Sequence, residues 1–331
     1  MHKKIFIRAE GLLIFSIVVF FSSGIYADSP VSISDIQNIN DPDVLWKMFS
    51  ESDDSEIRAE ILVRLGSTGK GNRIIIHYLN NFLTEKNQSF RAGETVDYMV
   101  LSACIAAIME LGNSSSFYAL FSAISVGYPE VITFEALGAL EVIPGNLMQF
   151  LMNVIANNPP DEKFIAFRTG SSGSRLTVSE RGQLAEFALS YALASNEENF
   201  DINAMRYAAV LALTPIRWTR ANALAIRHYY RVLADFHQDV VSKGRFLEAI
   251  ACLGAVGNSD AAVVLGLQLG LINARTESTG IFDDEITLEL VHALGLIGDS
   301  AAFDHLLYVT NLPYTDAIIA AAFEAIDRLR W

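Results

Sequence analysis

Residues 246–258 read Phe-Leu-Glu-Ala-Ile-Ala-Cys-Leu-Gly-Ala-Val-Gly-Asn, and residues 286–299 read Ile-Thr-Leu-Glu-Leu-Val-His-Ala-Leu-Gly-Leu-Ile-Gly-Asp. Both stretches end in Leu-Gly-x-x-Gly followed by Asn or Asp. A second apolar segment follows each of them, at 261–269 and 301–309. A unit that recurs in this way is typical of repeat proteins.

The spacing inside each unit predicts a helical hairpin. Phe246, Ala249, Ile250 and Leu253 recur at steps of three and four residues, which is the period of one buried face of an α-helix. The closing glycine can adopt the left-handed conformation that ends a helix, and the Asn or Asp after it can cap the next helix. Because one hairpin cannot bury its apolar faces alone, neighbouring units are expected to stack.

Weaker copies extend this pattern over most of the chain. They cover 57–83, 98–124 and 131–155, and helical patterns near 42–49 and 316–329 are expected to cap the array. The aligned turn positions are Gly69, Gly112, Gly145, Trp218, Gly257 and Gly298, at intervals of 43, 33, 73, 39 and 41 residues. The 73-residue interval predicts a further, degenerate repeat at 159–200, with its clearest helix at Leu184 to Leu193.

One segment is expected to interrupt the stack. Residues 157–179 contain Pro159-Pro160 and a Gly/Ser run at 170–174, and a long loop inside a compact array is often functional or disordered. We therefore expect an irregular insertion near 157–179.

The Leu-Gly-x-x-Gly-Asn/Asp turn between two Ala- and Leu-rich helices resembles the HEAT-like repeat, especially the type first noted in bilin-lyase (PBS-lyase) proteins. The resemblance implies an all-α fold, a right-handed α-α superhelix of about 6–7 helix pairs, formed by 28–331 as a single α-solenoid domain. It also implies a concave partner-binding face and carries no catalytic residue. Tetratricopeptide repeats are the nearest competitor, but intervals near 40 residues fit them less well.

The N-terminus predicts export. Residues 1–27 have three basic residues by position 8, an apolar run at 12–21 and a small residue, Ala27, at a plausible cleavage site. This is the layout of a secretory signal peptide, and the run is too short for a membrane span. The periplasm is the predicted compartment, with secretion or surface attachment as alternatives and no transmembrane span after cleavage.

Composition limits the classes of partner. The 331-residue chain is 51% hydrophobic, enough for a large core, and carries 24 basic and 38 acidic residues, a net charge of −14. Removing residues 1–27 leaves 21 basic and 37 acidic residues, a net charge of −16. A surface this acidic argues against general nucleic-acid binding.

No motif predicts catalytic, cofactor-binding or metal-binding residues. The stretch 66–72 lacks the glycine spacing and the hydroxyl residue of a phosphate-binding loop, and no two histidines have the spacing of a zinc site. The acidic run 283–285 is expected to cap a helix. Cys104 and Cys252 lie in small-residue helical contexts and are expected to be separate buried thiols.

A local basic stripe departs from the acidic composition. Residues 202–234 contain five arginines and no acidic residue, and on a helix Arg220, Arg227 and Arg231 fall within about 40° of one another. We therefore predict a cationic groove for an acidic peptide, an acidic glycan or a lipid headgroup; the alternative is a solvated helix face. The candidate partner-binding residues are Arg168, Arg175, Arg217, Arg220, Arg227, His228, Tyr230 and Arg231.

These features favour a non-enzymatic exported scaffold that presents a groove to another protein. An enzyme or accessory lyase-like factor with an unrecognised site, using acids such as Glu110, Glu141 or Glu289, is one alternative. A cell-surface-associated ligand-binding protein is the other. The sequence does not identify the partner.

Overall fold

The computed structural model describes residues 33–195 and 199–331, so the predicted signal peptide lies outside the described residues. Within these ranges the chain forms seventeen α-helices and no β-strand. The helices are α1 Ile33–Asn38, α2 Pro42–Glu51, α3 Ser55–Thr68, α4 Arg73–Arg91, α5 Tyr98–Leu111, α6 Phe117–Ser125, α7 Glu130–Val142, α8 Leu147–Asn157, α9 Pro160–Ser172, α10 Val178–Ala194, α11 Phe200–Ile216, α12 Asn222–His237, α13 Lys243–Val256, α14 Ser259–Thr279, α15 Asp284–Ile297, α16 Phe303–Val309 and α17 Asp316–Asp327.

The helices stack in two rows. In the first row α1, α3, α5 and α7 pack in series, as do α9, α11, α13, α15 and α17. In the other row α2, α4 and α6 pack in series, and α8, α10, α12, α14 and α16 continue it. In the part of the chain that the structure describes, seven helix pairs run from α3–α4 to α15–α16, flanked by α1–α2 and α17. This packing confirms the predicted α-solenoid, and helices lie at both predicted caps.

The segment expected to be an irregular insertion is mostly helical. Pro160 stands in the first turn of α9, where a missing N–H costs nothing and the fixed φ suits a helix. The Lys163 ammonium donates to the carbonyls of Ile155 and Ala156, at 2.9 and 3.1 Å, and so caps the end of α8. The prediction at 157–179 is therefore wrong, whereas the degenerate repeat predicted at 159–200 is present as α9 and α10.

The turn glycines do not all act alike. Gly112 and Gly298 are left-handed, at φ 60° and 65°, as the motif predicts. Gly257, from the best sequence copy, has φ −73° and is extended. Asn258 and Asp299 both cap the following helical segment through their side chains, which confirms that part of the prediction.

The Trp218 turn is displaced by one residue from its predicted alignment. Arg217, with φ 54°, holds the left-handed conformation that Gly112 and Gly298 hold in their repeats. The Trp218 ring instead packs on Gly182 of α10, where a Cβ would lie 2.6 Å from the ring. A glycine in the neighbouring repeat thus makes room for this large side chain.

One four-helix unit occurs twice. The helices α4, α5, α6 and α7 begin 186 residues before α14, α15, α16 and α17, respectively. The same offset relates Asn87 to Asn273, two buried amides that donate to the carbonyls of Ala119 and His305, each at 3.1 Å. We refer to α4–α7 as the first copy and to α14–α17 as the second copy.

The apolar core runs from Ile36 to Leu329. Cys104 and Cys252 are buried in it and are not bridged, which confirms the prediction of two separate thiols. Among the described helices, none combines the length and the apolar character that crossing a bilayer requires.

Candidate anion-binding surface on α11, α12 and α13

A buried arginine marks the centre of the candidate site. Arg206 lies on the inner face of α11 and is 3% exposed. Its Nη2 donates to the Tyr207 hydroxyl at 3.3 Å, but its Nε and Nη1 have no hydrogen-bond partner among the described residues. A buried guanidinium is costly unless an anion or hydrogen-bond acceptors compensate it.

Tyr207 brings three helices together around this arginine. The guanidinium carbons of Arg206 on α11 and Arg245 on α13 lie 4.8 and 4.4 Å from the Tyr207 ring centre. The His228 ring on α12 meets the same ring edge-to-face, with 5.5 Å between centroids. An electron-rich ring face attracts cations, so Tyr207 can hold both guanidinium groups near one place.

The pKa values of His228 and Arg206 are shifted in the direction expected for a buried site with excess positive charge. Burial, with Arg206, Arg231 and Arg245 nearby, lowers the pKa of His228 to about 3. Burial also lowers the pKa of Arg206, and Arg231 adds to that effect. His228 is therefore a neutral ring at physiological pH, while the arginines remain charged.

Carboxylates offset part of this charge. Glu248 pairs with Arg245 at 2.7 Å, and Asp235 is near enough to Arg206 to oppose the fall in its pKa. Among the described residues at this place, the positive charges of three guanidinium groups, those of Arg206, Arg231 and Arg245, thus exceed the negative charges of two carboxylates. We call Arg206, Tyr207, His228, Arg231 and Arg245 the basic cluster.

The outer face of α12 continues the basic cluster to the surface. Arg227 is exposed and Tyr230 is 50% exposed. Arg231, a member of the basic cluster, is half-buried and links the cluster to this face. Four of the eight predicted residues, Arg227, His228, Tyr230 and Arg231, therefore lie on one helix, as predicted. His228 does not share that face, because it is 1% exposed and turned toward α11.

The remaining candidates stand apart from the basic cluster. Arg220 precedes α12, in a 3-10 turn, so the predicted helical alignment with Arg227 and Arg231 is wrong for it. Its Nε pairs with Glu186 at 3.5 Å, and the same carboxylate oxygen accepts from the Trp218 indole at 2.7 Å. Arg220 is thus already paired within the fold.

Arg168 and Arg175 belong to other parts of the solenoid. Arg175 donates to the carbonyls of Leu140 and Gly145, at 2.8 and 2.6 Å, and so ties the segment before α10 to the turn after α7. Arg168 is exposed on α9 and lines a groove with α6 and α7. Arg217 serves at the left-handed turn described above.

Three members of the basic cluster, Arg206, Tyr207 and Arg245, were missed by sequence reasoning. Arg206 lies in the acid-free stretch, but the sequence pattern did not show that this residue would be buried. Arg245 lies outside that stretch, on α13. The signal that could have found Arg206 and Arg245 together was the repeat itself, since it predicts that α11 and α13 are neighbours, as the structure shows.

An apolar stripe lies on the next helix of the same row. Val263, Leu267 and Leu271 are spaced by four residues on α14 and are 48%, 58% and 69% exposed. Helix α14 packs beside α12. Exposed basic side chains on α12 and an exposed apolar stripe on α14 therefore lie on neighbouring helices.

No family model matches the chain, and no curated protein is detectably similar to it. The HEAT-like resemblance therefore stays a prediction.

Proposed function

We propose that this protein is a non-enzymatic recognition scaffold that binds an acidic segment of a protein partner across α12 and α14. The observation that carries the proposal is the excess of guanidinium groups at the basic cluster and on α12, in a chain whose net charge is −14. A carboxylate-rich segment supplies the charge that the fold itself lacks there. Electrostatic complementarity of this kind steers encounter and selects the partner.

The apolar stripe on α14 narrows the chemistry of that partner. A segment that carries only acidic side chains would leave Leu267 and Leu271 uncovered. A segment with acidic residues on one side and large apolar residues on the other fits both helices. An amphipathic helix laid against two neighbouring helices is a common form of such recognition.

The proposal includes export, with the periplasm as the compartment and secretion or surface attachment as alternatives. Its support is the sequence of residues 1–27. The scaffold role is further supported by His228, whose pKa of about 3 makes its ring a weak base, and by Cys104 and Cys252, whose burial raises the pKa of each thiol.

The test is capture with reversed charge. The full-length protein and the double variant Arg227→Glu/Arg231→Glu are expressed in the native host, crosslinked and purified, and the captured proteins are quantified by mass spectrometry. The matched control, Lys47→Glu/Lys70→Glu, makes the same charge change at two exposed lysines far from α12. We expect the α12 variant to lose the principal partner at least tenfold and the control to keep it. Equal capture by both variants contradicts the proposal.

A further inference from the structure

A second candidate site lies far from the basic cluster, between α4 and α6. A groove of about 660 Å³ opens there, within the size range of ligand pockets. Its lining comprises Arg73, Ile76, His77, Asn80, Asn81, Thr84, Asn113, Ser115, Tyr118 and Ala119. Amides, hydroxyls and an imidazole therefore dominate the wall, and no carboxylate stands among these described residues.

One side chain of the lining, Asn80, has an unused hydrogen-bond acceptor. The Asn80 amide nitrogen donates to the Ser115 hydroxyl at 3.5 Å, but its Oδ1 is buried and has no partner among the described residues. A buried amide oxygen without a donor is uncommon in folded proteins and calls for an explanation. Because Asn80 is only half-buried and its one bond is long, its amide can turn toward the groove, where a ligand O–H or N–H would satisfy this oxygen.

An aromatic ring completes the lining. Tyr118, at the start of α6, is 56% exposed. On the opposite side, the Asn81 amide donates to the His77 ring at 3.0 Å, which holds the two side chains together. The groove thus offers an exposed ring face opposite a fixed polar pair.

The second copy of the four-helix unit shows that the fold does not require this groove. The positions of Asn80 and Thr84 are Gly266 and Gly270 there, and the position of Ala119 is His305. The His305 ring packs directly on the two glycines, and a Cβ at Gly266 would lie 2.8 Å from it. The positions of His77 and Asn81 become Val263 and Leu267. One backbone therefore carries a polar groove in the first copy and a packed ring beside an apolar stripe in the second.

We propose that the groove between α4 and α6 binds a neutral, hydroxyl-rich ligand of the carbohydrate class. Sugar hydroxyls both donate and accept, so they match the amide and hydroxyl groups of the wall. The apolar C–H face of a sugar ring can cover the exposed Tyr118 ring, while one hydroxyl donates to Asn80 Oδ1.

The same features disfavour an anion as the ligand. Carboxylate oxygens only accept at neutral pH and would leave Asn80 Oδ1 without a donor, and phosphate would find little positive charge in this lining. Arg73 is the one charged side chain of the lining and lies exposed at the first residue of α4. This ligand differs from the acidic segment proposed for α12 and α14, so the two proposals stand separately.

The experiment uses the full chain and three neutral probes, maltotriose, cellotriose and chitotriose. Binding is measured by calorimetry and by saturation-transfer NMR. We expect at least one probe to bind, Asn80→Leu and Tyr118→Ala each to weaken it at least tenfold, and Asn81→Ala to weaken it severalfold. The matched control is Leu267→Ala, the equivalent of Asn81 in the second copy, which is expected to leave binding unchanged.

Circular dichroism and thermal unfolding check that each variant is folded, and Tyr118→Ala, at an exposed position, keeps the test decisive if Asn80→Leu is unstable. Binding of none of the three probes overturns the proposal. So does binding that Tyr118→Ala leaves intact, or inorganic phosphate that competes for the groove. The variant Arg227→Glu/Arg231→Glu is expected to retain sugar binding, so failure of one proposal does not resemble failure of the other.

Discussion

Gly254 on α13 lies so close to Ala293 on α15 that a Cβ on the glycine would be 2.7 Å from both Cα and Cβ of the alanine. Equivalent close approaches join Gly66 to Ala107, and Gly295 to Ala325. The first glycine of Leu-Gly-x-x-Gly therefore has a packing role between first-row helices. The second glycine belongs to the turn.

This contact predicts that Gly254→Ala destabilises the protein. Forcing a methyl group into a packed interface costs about 1–3 kcal/mol, whereas the better helix propensity of alanine returns about 1 kcal/mol. We expect a net loss of up to about 2 kcal/mol in the free energy of unfolding, measured by urea denaturation.

The matched control is Gly138→Ala on α7. Nothing lies within 4 Å of a Cβ at Gly138, so we expect the propensity term alone and a gain of about 0.5–1 kcal/mol. A Gly254→Ala variant as stable as Gly138→Ala would show that the helices can separate without cost.

Periodicity and turn residues were sufficient to predict hairpins, caps and a solenoid, because each depends on neighbours within a few residues. The packing role of Gly254 depends on Ala293, thirty-nine residues further on. The α9 helix was missed because Pro160 favours the first turn of a helix as well as a loop.

The basic cluster was predicted less completely for the same reason. A run of arginines without acids revealed an excess of charge, but a one-dimensional pattern did not separate the buried Arg206 from the exposed Arg227. Arg175 was included because of its charge, whereas its hydrogen bonds to Leu140 and Gly145 depend on the packing of two repeats.

Arg217→Gly is expected to stabilise the protein. A non-glycine residue in the left-handed region, here at φ 54°, costs about 1 kcal/mol, and Gly112 and Gly298 occupy the same place in their repeats. We therefore expect a gain of up to about 1 kcal/mol, measured as the midpoint of urea unfolding. Arg217→Ala removes the side chain but keeps the unfavourable backbone conformation, so we expect no gain in stability from it. An equal gain from Arg217→Gly and Arg217→Ala would show that the side chain, and not the backbone, causes the effect.

Asn273→Leu is expected to cost more than Asn87→Leu. The Asn273 amide donates to the His305 carbonyl and accepts from the Tyr314 hydroxyl at 2.8 Å. Its loss therefore removes two hydrogen bonds and leaves the buried Tyr314 hydroxyl, which still accepts from Thr276, without an acceptor for its own proton. Asn87 makes one such bond, to Ala119, and its Oδ1 has no partner among the described residues. We expect losses of about 2–4 kcal/mol for Asn273→Leu and about 1–2 kcal/mol for Asn87→Leu. Equal losses would mean that the second hydrogen bond contributes nothing.

His228 is expected to destabilise the fold in acid. Its pKa is about 3 in the folded protein and about 6.5 in the unfolded chain, so between these pH values the unfolded chain binds the extra proton. Stability is unaffected by this group above pH 6.5 and falls by about 1.4 kcal/mol per pH unit as the pH is lowered from 6.5 toward 3.

The measurement is the free energy of unfolding of wild type and His228→Phe from pH 7.5 to 4.5. Because phenylalanine does not titrate, the difference between the two proteins is expected to shift in favour of the variant as the pH falls. A difference independent of pH would show that His228 is solvated and free to take up a proton.

The most direct test of the recognition site is site-specific photo-crosslinking at Tyr230 in the native host. A photoreactive phenylalanine analogue replaces Tyr230, which is 50% exposed on α12, or Phe134, which is 66% exposed on α7 and serves as the control. We expect a crosslink from position 230 to a partner segment with clustered acidic and apolar residues. This product should be lost when Arg227 and Arg231 are changed to Glu, and position 134 should give no such product. A crosslink from position 230 that survives the charge reversal, or the same partner captured equally from position 134, would contradict the proposed recognition site.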